Sequence, residues 1–144
     1  MRQIKFRAQD IASNKWLYGD LRYHKDDICI FEQEGNNGEQ VKRDTVGQYT
    51  GLHDRKDREI YEGDILFVEF ADNSGGNQLV GWNEETASWG IMSTYEYQSL
   101  MEGDDWPEFK NHTLLSFLEG NIVCEVVGNI HDNPELMNVP NKKD

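Results

Sequence analysis

Apolar and polar residues alternate along much of this chain with the two-residue period of β-strands. In IKFRA (4–8), Ile4, Phe6 and Ala8 fall on one side and Lys5 and Arg7 on the other, which predicts a half-buried strand. WLYGDLRY (16–23) continues the β signal after a turn-like DIASNK, and ICIFE (28–32) adds a third short strand. The polar run EGNNGE (34–39) reads as a loop, its Asn37-Gly38 step suited to positive φ. VGQYTGL (46–52) is a strand ending at Gly51, and HDRKDRE (53–59) is a charged turn.

EIYEGDILFVEF (59–70) is the strongest β segment, two apolar runs broken at Gly63-Asp64 as at a bulge or corner. DILFVEF is apolar on both faces, which predicts a central strand covered on both sides. After the loop DNSGGN (72–77), LVGWNEETASWGIM (79–92) reads as a hairpin turning at Asn83–Thr86, with Trp82 and Trp89 on its flanks. Residues 93–112 predict a long excursion around Pro107, and TLLSFL (113–118) suits either a helix or a strand. NIVCEVV (121–127) predicts a strand with Ile122, Cys124 and Val126 on one face. Asn133-Pro134-Glu135-Leu136 has the cap, first-turn proline and acidic start of a short C-terminal helix. The chain is thus mainly β, with the short strands and turns of a small barrel or sandwich.

Three blocks add a likeness to this pattern. VGQYTGL (46–52), EIYEGDI (59–65) and EVVGNIHDNPEL (125–136), with the opening IKFRAQD, resemble the signature of the YopX-like family of phage and prophage proteins. That family carries an Asn-Gly-type turn between the first two blocks; here the turn reads Asp54-Arg55-Lys56-Asp57. The resemblance implies an SH3-like β-barrel or roll over residues 58–138, after a smaller β-containing region over 1–57 and before a tail at 139–144. It also implies phage or prophage origin and self-assembly into a homo-oligomer. It brings no chemistry with it.

Charge sharpens the functional question. The chain has 14 Lys and Arg against 27 Asp and Glu, net −13. Residues 1–60 are balanced, eleven of each sign, so the whole excess lies beyond them. Residues 61–109 carry eleven carboxylates and no Lys or Arg, a composition that repels a phosphate backbone and makes direct nucleic-acid binding unexpected. This leaves a solvated acidic surface, or an acidic face for a basic protein partner. Candidate acids for that face are Glu62, Asp64, Glu84, Glu85, Asp104 and Asp105; candidate aromatic contacts are Tyr49, Tyr61, Trp82, Trp89 and Trp106. The same aromatics also suit core or barrel-end positions.

Catalytic patterns are sparse. The four histidines share no metal-binding spacing, there is no CxxC, and no nucleophile or phosphate-loop motif occurs. Strand alternation would bring Glu62 and Asp64 within reach of a hard cation, although Gly-Asp before a strand also serves to close a turn. No metal and no cofactor is expected. Cys29 and Cys124, each in an apolar run, read as buried free thiols. The N-terminal segment lacks the apolar run of a secretion leader and no stretch is long enough to span a bilayer, so a cytoplasmic location in a bacterial host is expected. Three readings remain: a non-enzymatic binding or assembly module, an acidic mimic that occupies a nucleic-acid site on another protein, and a carboxylate-dependent hydrolase.

Overall fold

The computed structural model describes residues 1–32, 38–103, 109, 112–120 and 123–139. The expected Asn37 turn, Ile122, Pro107, Trp106 and Asp104-Asp105 lie outside the described residues, as does the tail beyond residue 139. The fold is mainly β and divides into two compact units, residues 1–51 and 52–144.

In the first unit β1 (Phe6–Gln9), β2 (Trp16–His24), β3 (Asp27–Phe31), β4 (Glu39–Gln40) and residues 47–51 of β5 (Gly47–His53), whose end belongs to the second unit, form antiparallel neighbours in the order β4-β3-β2-β1-β5. Ala8, Ile28, Ile30 and Val41 make its core, with Phe6, Leu17, Leu21 and Val46 packed against them. The 10–15 turn is closed by Asp10, whose carboxylate accepts from the Ala12 amide and the Ser13 hydroxyl, while Asn14 takes φ +61°. The outer side of β4 is not bare: Ile11 N–H donates to the Gln40 carbonyl and Asp10 bridges to Val41. Alternation overstates the polarity of β1, for Arg7 and Gln9 are buried together with Ala8. The Arg7 guanidinium lies over the Trp16 ring, 4.8 Å from its centre, which lets a cation leave bulk water.

The second unit holds β6 (Glu59–Tyr61), paired with the end of β5, and a four-stranded antiparallel sheet in the order β10-β7-β8-β9. Its strands are β7 (Asp64–Glu69), β8 (Gly75–Asn83), β9 (Ser88–Ser93) and β10 (Val123–Asn129). The strands of neither sheet close into a barrel in this order, so the fold is two antiparallel sheets and not the closed form of the SH3-like expectation. As the apolar run of β7 predicts, this sheet is covered on both faces. Leu66, Val68, Val80, Ile91 and Cys124 pack with Ile60 and with Leu114 and Phe117 of helix α2 (Leu114–Gly120). Ile65, Leu79 and Met92 pack on the opposite side with Met137, Tyr97 and Phe109.

Residues 93–112 contain a helix that no apolar stripe announces. α1 (Thr94–Met101) buries none of its residues; it is set by the Ser93 side chain accepting from the Glu96 amide and stops before Gly103, at φ +82°. The expected C-terminal helix is a single 3-10 turn, Pro134–Met137. Asn133 does not cap it. Its side chain turns back to accept from the Asn129 amide, so the residue closes a loop at the end of β10.

Candidate functional site

The buried polar side chains come first, because they decide which residues remain available for a partner. Asp54 opens the charged turn after β5, and its carboxylate is fully buried. One oxygen accepts from the Lys56 and Arg58 amides; the other accepts from Arg58 Nε and from the Val126 amide, each at 2.9 Å. Burial pushes the carboxyl pKa up, but these hydrogen bonds from Val126, Arg58 and Lys56 outweigh it and hold the group below the usual carboxylate range. The neighbouring Arg55 amide donates to the Cys124 carbonyl. β10 is an outer strand, and this turn covers two of its outward backbone groups.

The second block makes another joint. Asp64 is 2% exposed and accepts from the Tyr61 amide at 2.7 Å, while Gly63 takes φ +89°, a conformation that favours glycine. Gly63 N–H donates to the Val80 carbonyl, and its own carbonyl receives the Ile130 amide. In the third block the Asn129 side-chain oxygen accepts from the His131 and Asp132 amides, and Asn133 closes back on Asn129. Gly128 leaves room for Asn133: a Cβ there would stand 2.5 Å from its side-chain oxygen. Asp64, Asn129 and Asn133 are therefore occupied in holding backbone together.

The candidate residues separate accordingly. Tyr49 and Tyr61 are buried, at 6% and 3% exposure, and form no external groove. Asp64 is interior, so it belongs to no acidic face; Glu62 is half-buried in the turn between β6 and β7 and does not alternate along a strand with Asp64. Trp106, Asp104 and Asp105 lie outside the described residues. Among the described residues no three His, Cys, Asp or Glu side chains are placed to hold a metal ion. Cys124 is buried and Cys29 half-buried, both unbridged; burial, with the Asp54 carboxylate adding to it, pushes the Cys124 thiol up to about 11.

Trp82, Trp89, Glu84 and Glu85 come together on one hairpin. Trp82 and Trp89 are direct partners in the β8–β9 register, with ring centres 4.9 Å apart and planes at 71°. Trp82 is 41% exposed, whereas Trp89 packs against the core. The turn beyond them is fixed by buried Asn83, whose side-chain oxygen accepts from the Glu85 amide and whose amide donates to the Phe109 carbonyl. Glu84 and Glu85 are exposed in that turn. This end of the sheet thus offers an exposed aromatic ring on the same hairpin as exposed carboxylates, an arrangement suited to cations.

Asp54 was hidden from a reading by motif because its turn looks merely charged. Its position ahead of several backbone donors was the available signal. The Arg55, Lys56 and Arg58 cations of that turn look like contacts for an acidic surface, yet Arg58 is bound to Asp54 and Lys56 Nζ lies 3.4 Å from Glu125.

Comparisons with known proteins agree with this architecture. The crystal structure of protein EF1440 from Enterococcus faecalis superposes with a TM-score of 0.54 at 19% identity, over 96% of this chain and all of that one, a likeness of fold alone. No match appears among the curated proteins. No helix among the described residues is long and apolar enough to cross a membrane. The family described as YopX protein matches residues 5–138, nearly the whole chain and all of the hydrogen-bonded joints above, and the protein therefore belongs to the YopX family.

Proposed function

We propose that this protein is a non-enzymatic, phage- or prophage-encoded binding module that presents the acidic surface of its second unit to a cationic partner. The observation that carries the reading is the exposed Trp82 ring, on a hairpin whose segment, 61–109, has eleven carboxylates and no Lys or Arg. Trp82 offers a partner an accessible aromatic ring, and the excess of carboxylates in its segment selects positive partners. The hydrolase reading finds less support. Asp10, Asp54 and Asp72 are each held below the usual carboxylate range by hydrogen bonds, whereas a general acid needs the opposite shift. The nucleic-acid mimic is weakened by the burial of Asp64 and the half-burial of Glu62, which cannot stand in for a row of phosphates.

The SH3-like kinship of residues 58–138 enters this proposal as an open roll. Self-association is also part of it, and a second copy would dock through side chains. Outer strand β10 is covered by the Asp54 turn, β9 is bridged through Gly90 to Thr113, and β4 is met by Ile11. The test is retention at about 150 mM salt, where exposed charges act over only ~8 Å, on immobilised polycationic peptide and on immobilised duplex DNA. Retention on the peptide and not on DNA is expected; the reverse order overturns the reading.

A further inference from the structure

We propose that the Trp82–Trp89 step at the end of the β8–β9 hairpin is a seat for an arginine side chain, presented by a basic peptide segment of a partner protein. The proposal rests on the cationic-partner reading and names the group that is read. An edge-to-face pair covers only one of its four ring faces with the other ring, and the 71° angle here fits that arrangement. Tryptophan is the best aromatic platform for a cation. This chain already uses such platforms internally. Lys5 Nζ stands 5.1 Å from the Tyr49 ring centre, Arg7 Cζ 4.8 Å from Trp16 and Arg22 Cζ 4.4 Å from Phe31, all within residues 1–51. Residues 59–109, which include the whole hairpin, contain neither Lys nor Arg.

Arginine fits better than lysine for two reasons. Its guanidinium is planar, so it stacks flat on an indole while its N–H fork points sideways, where the exposed Glu84 adds a carboxylate to the turn. It is also more weakly hydrated than an ammonium and loses less on leaving water. Asn83 holds the Glu85 amide and is itself buried, so the turn is formed before any partner arrives.

Calorimetric titration with hexa-arginine and hexa-lysine tests the seat in the full chain. Hexa-arginine is expected to bind about fivefold tighter than hexa-lysine, the preference that one exposed stacking contact provides. Trp82→Leu should erase that preference and leave hexa-lysine binding unchanged, while Glu84→Gln with Glu85→Gln should weaken both peptides. If Trp82→Leu does not fold, Trp82→Phe carries the test and should reduce the preference without abolishing it. Equal binding of the two peptides, unaffected by these Trp82 changes, overturns the seat and leaves the cationic-partner reading standing. Failure of both peptides to bind overturns both. A wild-type dimer, seen by light scattering, that is lost in the Trp82 variant and not displaced by hexa-arginine makes the occupant a second copy and overturns the assignment.

Discussion

In residues 1–51 eight cationic and eight anionic side chains cancel, and three of the cations lie over aromatic rings of the same unit. Residues 52–144 hold six cations against nineteen carboxylates, and their exposed tryptophan pairs with another ring. The first unit settles its charges internally and uses them as packing material, down to a buried Arg7. In the second unit the buried acids Asp54 and Asp64 are each bound by backbone N–H groups, while Asp72, Glu84, Glu85 and Glu102 face water. The difference separates two jobs for the same residue types. Acids tied to backbone amides build the fold, and in the proposed function the exposed Glu84 on the Trp82 hairpin serves a partner.

The sharpest way to break this division is to remove an acid of the first kind. Asp54→Ala leaves the Val126, Arg58 and Lys56 amides without their acceptor and should cost about 3 kcal/mol in urea unfolding. Glu84→Gln should move the same measurement by less than about 0.5 kcal/mol. A small Asp54 effect would mean that the turn is not a joint. Next in size is Gly128→Ala, whose Cβ would meet the Asn133 side-chain oxygen at 2.5 Å and break the loop that follows β10. A loss of about 2 kcal/mol is expected, from displaced packing and a lost hydrogen bond.

Acid provides a third test. Burial raises the Asp54 pKa, the hydrogen bonds lower it by more, and the net folded value lies below the unfolded one of about 4. A depressed carboxyl contributes stability that is complete above the unfolded value and is lost as pH falls through the folded one. The stability of wild type should therefore decline below about pH 4 more steeply than that of Asp54→Asn, measured as urea midpoints across that range. Parallel acid limbs in the two proteins would count against the joint.

Much of this was written in the sequence, and the exceptions have physical causes. The longer strands were legible because alternating or continuous apolar residues mark them, and the Gly63-Asp64 break and the Trp82–Trp89 hairpin fell where expected. α1 was not legible from periodicity since TYEYQSLM has no fully buried residue and only Tyr97 packs against the core; the Ser93–Glu96 cap and Gly103 mark it. β4, two residues long, is too short for any period. Arg7 and Asp54 were misplaced towards solvent because a charged residue looks the same in sequence whether or not a ring or a set of amides awaits it. For the site, the hairpin and its acids could be read in advance, and of the two readings open for Tyr49, Tyr61 and Asp64 the structure takes the core aromatics and the turn-closing acid.

Thiol labelling gives a smaller effect on the same contrast. Cys124 is fully buried, with its thiol pushed up to about 11, whereas Cys29 on β3 is partly accessible. Under native conditions Cys29 should react first, and Cys124 only on the timescale of unfolding; prompt labelling of Cys124 would show that the Asp54 turn opens readily.

The most direct measurement is the set of indole N–H signals in an NMR titration with hexa-arginine. The account predicts that the Trp82 and Trp89 signals move in a saturable way while Trp16, already lying under Arg7, stays in place. Movement of Trp16 with Trp82 and Trp89 unchanged would contradict it, because the reading surface would then lie in the charge-balanced unit.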